Sequence, residues 1–202
     1  MPILLLIRHG ETDWNRSGRV MGDQSIPLNQ TGERQAHACA EVLSRTPITG
    51  IFTSPVLRAV QTAEILRLPQ GAPLYHIPGL SEIGVGDWIN RYWQDFADDP
   101  AKREWYTQPD QARPSGGETL REVQRRAVAA VEQVIDSAQD RPYVFVSHGD
   151  VIRAILAHYL HLDLAIIRHA RIDHVSASGL ELTGHAAQLL FLNHRPGLDR
   201  LL

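Results

Sequence analysis

Two histidines each sit at the end of a short apolar run and are each followed by glycine. Ile3 to Ile7 runs into Arg8-His9-Gly10, and Val144 to Val146 runs into Ser147-His148-Gly149. An imidazole with one ring nitrogen tied to a backbone carbonyl presents the lone pair of the other to an electrophile. Phosphorus is the natural target here, because the candidate neighbours are cations. Arg8 and Arg58 each offer a planar fork to non-bridging phosphate oxygens. His148 adds a further donor, and Gly149-Asp150 opens a helix whose N–H groups favour an anion. A leaving alkoxide needs a proton, and Glu82, in the tight stretch Glu82-Ile83-Gly84-Val85-Gly86, is the candidate acid. Each residue alone has a plainer reading: a structural histidine, a solvated helix arginine, a loop carboxylate. Their joint placement at strand ends makes the case.

Apolar runs with no polar alternation are the pattern of strands covered on both faces. Ile3–Ile7, Ile51–Thr53, Leu74–Ile77 and Tyr143–Val146 are the expected strands. Between them the sequence predicts helices over about Thr31–Arg45, from Pro55 with Ser54 as its cap, over about Glu118–Ala138, and from Asp150 as cap to Leu160. Val175–Leu182 and Leu189–Leu192 bracket Thr183-Gly184-His185 as a terminal hairpin. Alternating strands and helices imply an α/β fold, a three-layer α/β/α sandwich on a mostly parallel sheet. Sites in such sheets lie beyond the carboxyl ends of the strands, where both His-Gly pairs fall. From Ile89 to Ser115 no period is visible, so this segment reads as an insertion forming a lid on a single domain of residues 1–202.

Composition narrows the partners. A formal charge of −3 gives no basic footprint for nucleic acid, so an anion must be drawn in by a local cluster. No run approaches the roughly 20 apolar residues of a membrane span. Cys39 stands alone, which excludes an intramolecular disulfide and fits a small buried apolar residue. A cytoplasmic protein is expected, with a homodimer left open. His158, His161, His169 and His174 complete no recognised metal-ligand spacing, so no metal or other cofactor is expected.

The motifs together resemble those of the histidine phosphatase superfamily, also called phosphoglycerate mutase-like. Arg8-His9-Gly10-Glu11-Thr12 with Asn15 matches its signature. Ser54 to Ala63, Leu80-Ser81-Glu82 through Gly86-Asp87-Trp88, Gly116 to Thr119, and Val146 to Arg153 match later blocks in the family's order. The resemblance implies His9 as phosphorylated nucleophile, Arg8, Arg58 and His148 as the rest of the phosphate pocket, Asn15 as an auxiliary contact and Glu82 as proton donor, with no metal needed. The family's Gly-Asp-Trp is usually followed by Glu-Gly, where this chain has Ile89-Asn90, a departure that bears on the geometry of the following segment and not on the phosphate pocket. Mutases usually carry Gly-Trp where this chain has Gly22-Asp23.

A mutase must also hold a second anionic group. In the insertion, Arg91, Lys102, Arg103 and Arg113 are outnumbered by Asp95, Asp98, Asp99, Glu104 and Asp110. A phosphomonoesterase acting on a small phosphorylated metabolite is therefore favoured over a cofactor-dependent mutase. A phospho-ligand binding module is disfavoured, since a binder has no use for a proton donor. The family branch similar to this chain includes bacterial phosphatases of α-ribazole phosphate, phosphoserine and phosphosugars. Trp88, Trp93, Trp105 and Tyr106 either wall the substrate site or pack the insertion onto the sheet.

Overall fold

The computed structural model describes residues 1–135, 141–183 and 186–195. Six strands, β1 (Ile3–Arg8), β2 (Gly50–Thr53), β3 (Leu74–His76), β4 (Tyr143–Ser147), β5 (Ala177–Thr183) and β6 (Ala186–His194), form one sheet in the order β3-β2-β4-β1-β5-β6. The first four of that order are mutually parallel. β5 then runs antiparallel to β1, and β6 antiparallel to β5. The expected hairpin is thus present in its two strands, while its Gly184-His185 turn lies outside the described residues.

The continuous apolar runs have the predicted cause. Leu4, Leu6, Tyr143 and Phe145 join one buried cluster, and Ile7, Val144 and Val146 join another across the sheet. The first cluster is closed by α5 (Leu120–Val134) and α6 (Gly149–Tyr159), through residues such as Val123, Ala127, Ile152 and Ile155. The second is closed by α2 (Gln30–Leu43) and α3 (Leu57–Arg67), where Cys39, Ala40, Ala59 and Ala63 are buried. Helices therefore cover both faces of the sheet. Burial pushes the Cys39 thiol up to about 12, as expected of an inert packing residue.

Two predicted helix starts are corrected. α3 begins at Leu57 with Val56 at its cap position, not at Pro55. Ser54 instead accepts from Val56 N–H at 3.2 Å and is otherwise engaged with a histidine. α6 takes His148, not Asp150, as its cap residue, and the Asp150 carboxylate turns to Arg153 at 3.1 Å. α5 follows Thr119 in a capping box with Glu122; its predicted last residues, 136–138, lie outside the described part.

The 89–115 segment is more ordered than its sequence suggests. It holds a 3₁₀ turn (Trp93–Phe96) and α4 (Pro100–Thr107), which starts on Asp99 as cap and Pro100 at its first position. Eight residues with one buried side chain, Trp105, give too short a stripe to read as a period. Trp88, Phe96 and Trp105 join the core cluster, and the Trp88 and Trp105 rings meet edge-on at 5.3 Å. Asn90 has φ +68°, a left-handed conformation that asparagine tolerates and glycine adopts freely. Its N–H reaches Val20 O at 2.9 Å. Asn90 thus holds a backbone conformation that a glycine would adopt without strain.

The loop after β1 meets the start of α2 backbone to backbone. A Cβ on Gly10 would lie 2.7 Å from Gly32 O, and one on Gly32 would collide with Glu11 O. Since neither obstacle is a movable side chain, Gly32→Ala is expected to destabilise the protein by about 1–3 kcal/mol or more. A lowered urea midpoint with an unchanged m-value would register this; an unchanged midpoint would refute it.

Candidate active site

β1 and β4 are hydrogen-bonded parallel neighbours in the register Ile7↔Val146 and Arg8↔Ser147. The next residue on each strand is a histidine, so register alone places His9 beside His148. His9 N–H donates to Ser147 O at 2.9 Å, and the ring centroids are 5.1 Å apart at an interplanar angle of 57°. Both rings are buried.

Arg58 of α3 lies between them, fully buried. Its Nε–H donates to His9 Nε2 at 3.1 Å and its Nη2 to His148 Nδ1 at 3.2 Å. Carbonyls of Gly22 and Gln24, at 2.7 and 3.0 Å, hold the rest of the guanidinium. These partners fix both tautomers. His9 donates from Nδ1 to Gly10 O at 2.7 Å and keeps its lone pair on Nε2. His148 accepts at Nδ1 and donates from Nε2 to Ser54 Oγ at 2.8 Å. Burial, then Arg58, holds both imidazoles well below the usual histidine range, with His148 and Arg8 adding to the effect on His9. Both are therefore neutral near pH 7.

Glu82 enters after β3 and a 3₁₀ turn (Pro78–Leu80). Its Oε2 is 3.7 Å from His148 Nδ1 and 3.9 Å from Arg58 Nη2, while Oε1 accepts from Ile83 N–H at 2.9 Å. Burial foremost, then the Asp150 charge, push this carboxyl up to about 7 despite Arg58. A half-buried frame holds the loop. Arg126 of α5 donates to Gly79 O, Ser81 O and Glu82 O at 2.8, 2.7 and 3.1 Å, and to both Glu118 oxygens at 2.9 Å. Glu118 in turn accepts from Gly84 N–H at 2.8 Å.

The remaining expected residues surround the same point. Arg8 donates from Nη1 to Ile172 O at 2.7 Å, and its buried Nε has no partner among the described residues. Gly149 begins α6 beside it: a Cβ there would lie 3.7 Å from Arg8 Nε. Asn15 Oδ1 accepts from Thr12 N–H at 3.1 Å, which leaves its Nδ2 as the group available to an anion. Arg8, Asn15, Glu82 and Gly149 line a cavity of about 390 Å³, together with Trp93, Trp105 and Tyr106. Trp93 and Trp105 thus both pack the core and wall the cavity, whereas Trp88 only packs and Tyr106 only walls.

Sequence reasoning missed Ser54, Thr62, Glu118 and Arg126 as supports. Thr62 Oγ1 accepts from Gly10 N–H at 3.0 Å and donates to Arg58 O at 2.7 Å, one helical turn from Arg58. That four-residue spacing was available in the sequence. The Arg126 frame was not, because its partners are mostly carbonyls of a distant loop.

Among the described residues, His9, Glu82 and His148 form a cluster whose ligand atoms all lie within 4.8 Å, a spacing that suits a cation. The Arg58 guanidinium already occupies both imidazole lone pairs, so a metal ion would have to displace a held cation.

Residues 4–195 match the Histidine phosphatase superfamily (branch 1), and the chain belongs to that family. It is a phosphatase of that type. A metal-independent phosphoserine phosphatase of Arabidopsis thaliana is 34% identical over 158 residues, covering 75% of this chain and 66% of the relative. The adenosylcobalamin/α-ribazole phosphatase of Salmonella typhimurium is 28% identical, covering 95% of this chain and 96% of the relative. A probable phosphoglycerate mutase of Yersinia enterocolitica is 31% identical over 88% of this chain and 84% of its own length. Among solved structures, a mycobacterial glucosyl-3-phosphoglycerate phosphatase complexed with VO3 superposes with a TM-score of 0.87 at 31% identity, covering 95% of this chain and 98% of that one.

Arg126→Leu is expected to loosen the Glu82 loop, costing roughly 2–3 kcal/mol of stability and about tenfold to a hundredfold in kcat. Thermal denaturation and steady-state kinetics check both; full activity in a destabilised variant would show that Arg126 does not position Glu82.

Proposed function

We propose that the protein hydrolyses small phosphomonoesters through a phosphohistidine on His9. The observation that supports this best is Arg58 bridging two neutral, buried imidazoles, with the raised carboxyl of Glu82 within 4 Å of both Arg58 and His148. On this reading a phosphoryl oxygen competes for the Arg58 Nε–H and frees the His9 lone pair for in-line attack. Arg8, Arg58, Asn15, His148 and the Gly149 N–H stabilise the equatorial oxygens as charge builds. Ser54 can donate or accept, so His148 can switch tautomer toward the anion without losing its partner.

The P–N bond forms as the P–O bond to the leaving group breaks, and Glu82 supplies the leaving oxygen's proton. Glu82, now a carboxylate, takes a proton from the water that attacks phosphorus. The P–N bond then breaks, releasing inorganic phosphate and restoring His9. A general acid must be protonated at the outset, and a carboxyl near 7 meets that need at neutral pH where an ordinary one does not. A cytoplasmic location, where phosphorylated metabolites are found, fits this activity.

The decisive test is His9→Ala with p-nitrophenyl phosphate, expected to lose roughly a thousandfold or more in kcat. Quenched wild-type enzyme should carry an alkali-stable, acid-labile phosphoryl group that the variant lacks, and turnover should survive EDTA. Equal turnover by His9→Ala removes the nucleophile assignment. The donor role has its own signature. The ratio of alkyl to aryl phosphate turnover should fall as pH rises through about 7, because the proton needed by the poorer leaving group is lost as Glu82 ionises. Glu82→Gln should slow alkyl esters by about a hundredfold or more, aryl esters less, and flatten that limb. An identical slowing of both ester classes would sink the assignment.

A further inference from the structure

Three of the four cations of the 89–115 segment are taken up by structure, and the fourth, Arg103, is exposed. Arg91 lies 4.3 Å over the Phe96 ring, Lys102 donates to Trp93 O at 3.1 Å, and Arg113 pairs with Glu122 at 3.1 Å. None of them lines the cavity. Basic residues from elsewhere do: Arg19 from the early loop, Arg153 from α6 and Arg168, which follows α7 (Leu164–Ile167). All three lie outside the insertion.

Their states differ. Arg153 Nη1 meets the Asp150 carboxylate at 3.1 Å, and its Nε donates to Ala170 O at 2.8 Å, so its charge is locally balanced. Arg19 lies between the Trp14 and Tyr92 rings, at 5.0 and 4.8 Å, and donates to the Tyr92 hydroxyl, with its buried Nε left without a partner among the described residues. Arg168 is 8% exposed, and its guanidinium carbon lies over the Trp105 ring at 3.7 Å and over the Tyr106 ring at 4.9 Å. Its buried Nε and Nη2 have no hydrogen-bond partner, and it forms no ion pair among the described residues. A buried guanidinium edge without acceptors is costly, and a charged acceptor recovers that cost.

We infer that Arg168 holds a second anionic group of the substrate, a carboxylate, while the phosphoryl group sits at His9. The inference rests on the phosphatase reading above and names the substrate class for that site: phosphomonoesters of small carboxylic acids. Nε–H and Nη2–H share one edge of the guanidinium, and that edge matches the two oxygens of a carboxylate. A second phosphate dianion fits less well, because Asp150 lies on the same cavity wall. Trp105, 2% exposed, fixes the plane of the guanidinium from beneath. Tyr106, 43% exposed, is the neighbour with room to give way as the acid enters.

The test compares two esters that differ in one group: 3-phosphoglycerate, which carries a carboxylate, and glycerol 3-phosphate, which carries a hydroxymethyl there. Wild-type enzyme should favour the acid by tenfold or more in kcat/KM for phosphate release. Arg168→Met keeps an apolar chain over Trp105 but removes the charge, and should lower that ratio about tenfold, chiefly through KM. Arg168→Lys should retain part of it. A wild-type ratio near one overturns the proposal without any variant, and so does an unchanged ratio in Arg168→Met. Turnover of p-nitrophenyl phosphate separates the two readings: if it proceeds while the ratio is near one, only the carboxylate subsite fails. If no ester is turned over, both fail.

Discussion

The site depends on the parallel pairing of two central strands. Once Arg8 is opposite Ser147, the peptide chain has no freedom to keep the next two residues apart, and two imidazoles converge above the sheet. Burying them there has an electrostatic result. Arg58, threaded between the rings and anchored on two carbonyls, disfavours a proton on either. The His9 imidazole is thereby kept unprotonated by the same cation that would greet a phosphate on the proposed reading.

Glu82 experiences that environment with the opposite sign, and the competition is instructive. Arg58 and Arg8 favour its ionised form, but burial and the nearby Asp150 outweigh them. One enclosed pocket thus holds bases without protons and an acid with one. The separation requires Glu82 to stay where water is scarce, which is the work of Arg126 and Glu118 beneath the loop.

Much of this was legible in the sequence, for identifiable reasons. The strands announced themselves because both faces are covered, so Ile3–Ile7 and Tyr143–Val146 carry no polar alternation. His9, Arg58, Glu82 and His148 were recoverable because each follows a strand or opens a helix at the sheet's carboxyl edge. The misreadings are equally physical. Ser54-Pro55 has the composition of a helix start, yet the serine hydroxyl is drawn to His148 and the helix begins two residues later. Asp150 has the composition of a cap but pairs with Arg153. Arg19, Arg153 and Arg168 are scattered over the chain and share a cavity only through tertiary folding.

The paired glycines at positions 10 and 32 have a mechanical consequence. Because their main chains touch directly, α2 abuts the peptide that carries His9. A side chain at either position would have to push a fourteen-residue helix away from the peptide beside His9. The aromatic-rich insertion instead meets the cavity through side chains, among them the 43%-exposed Tyr106.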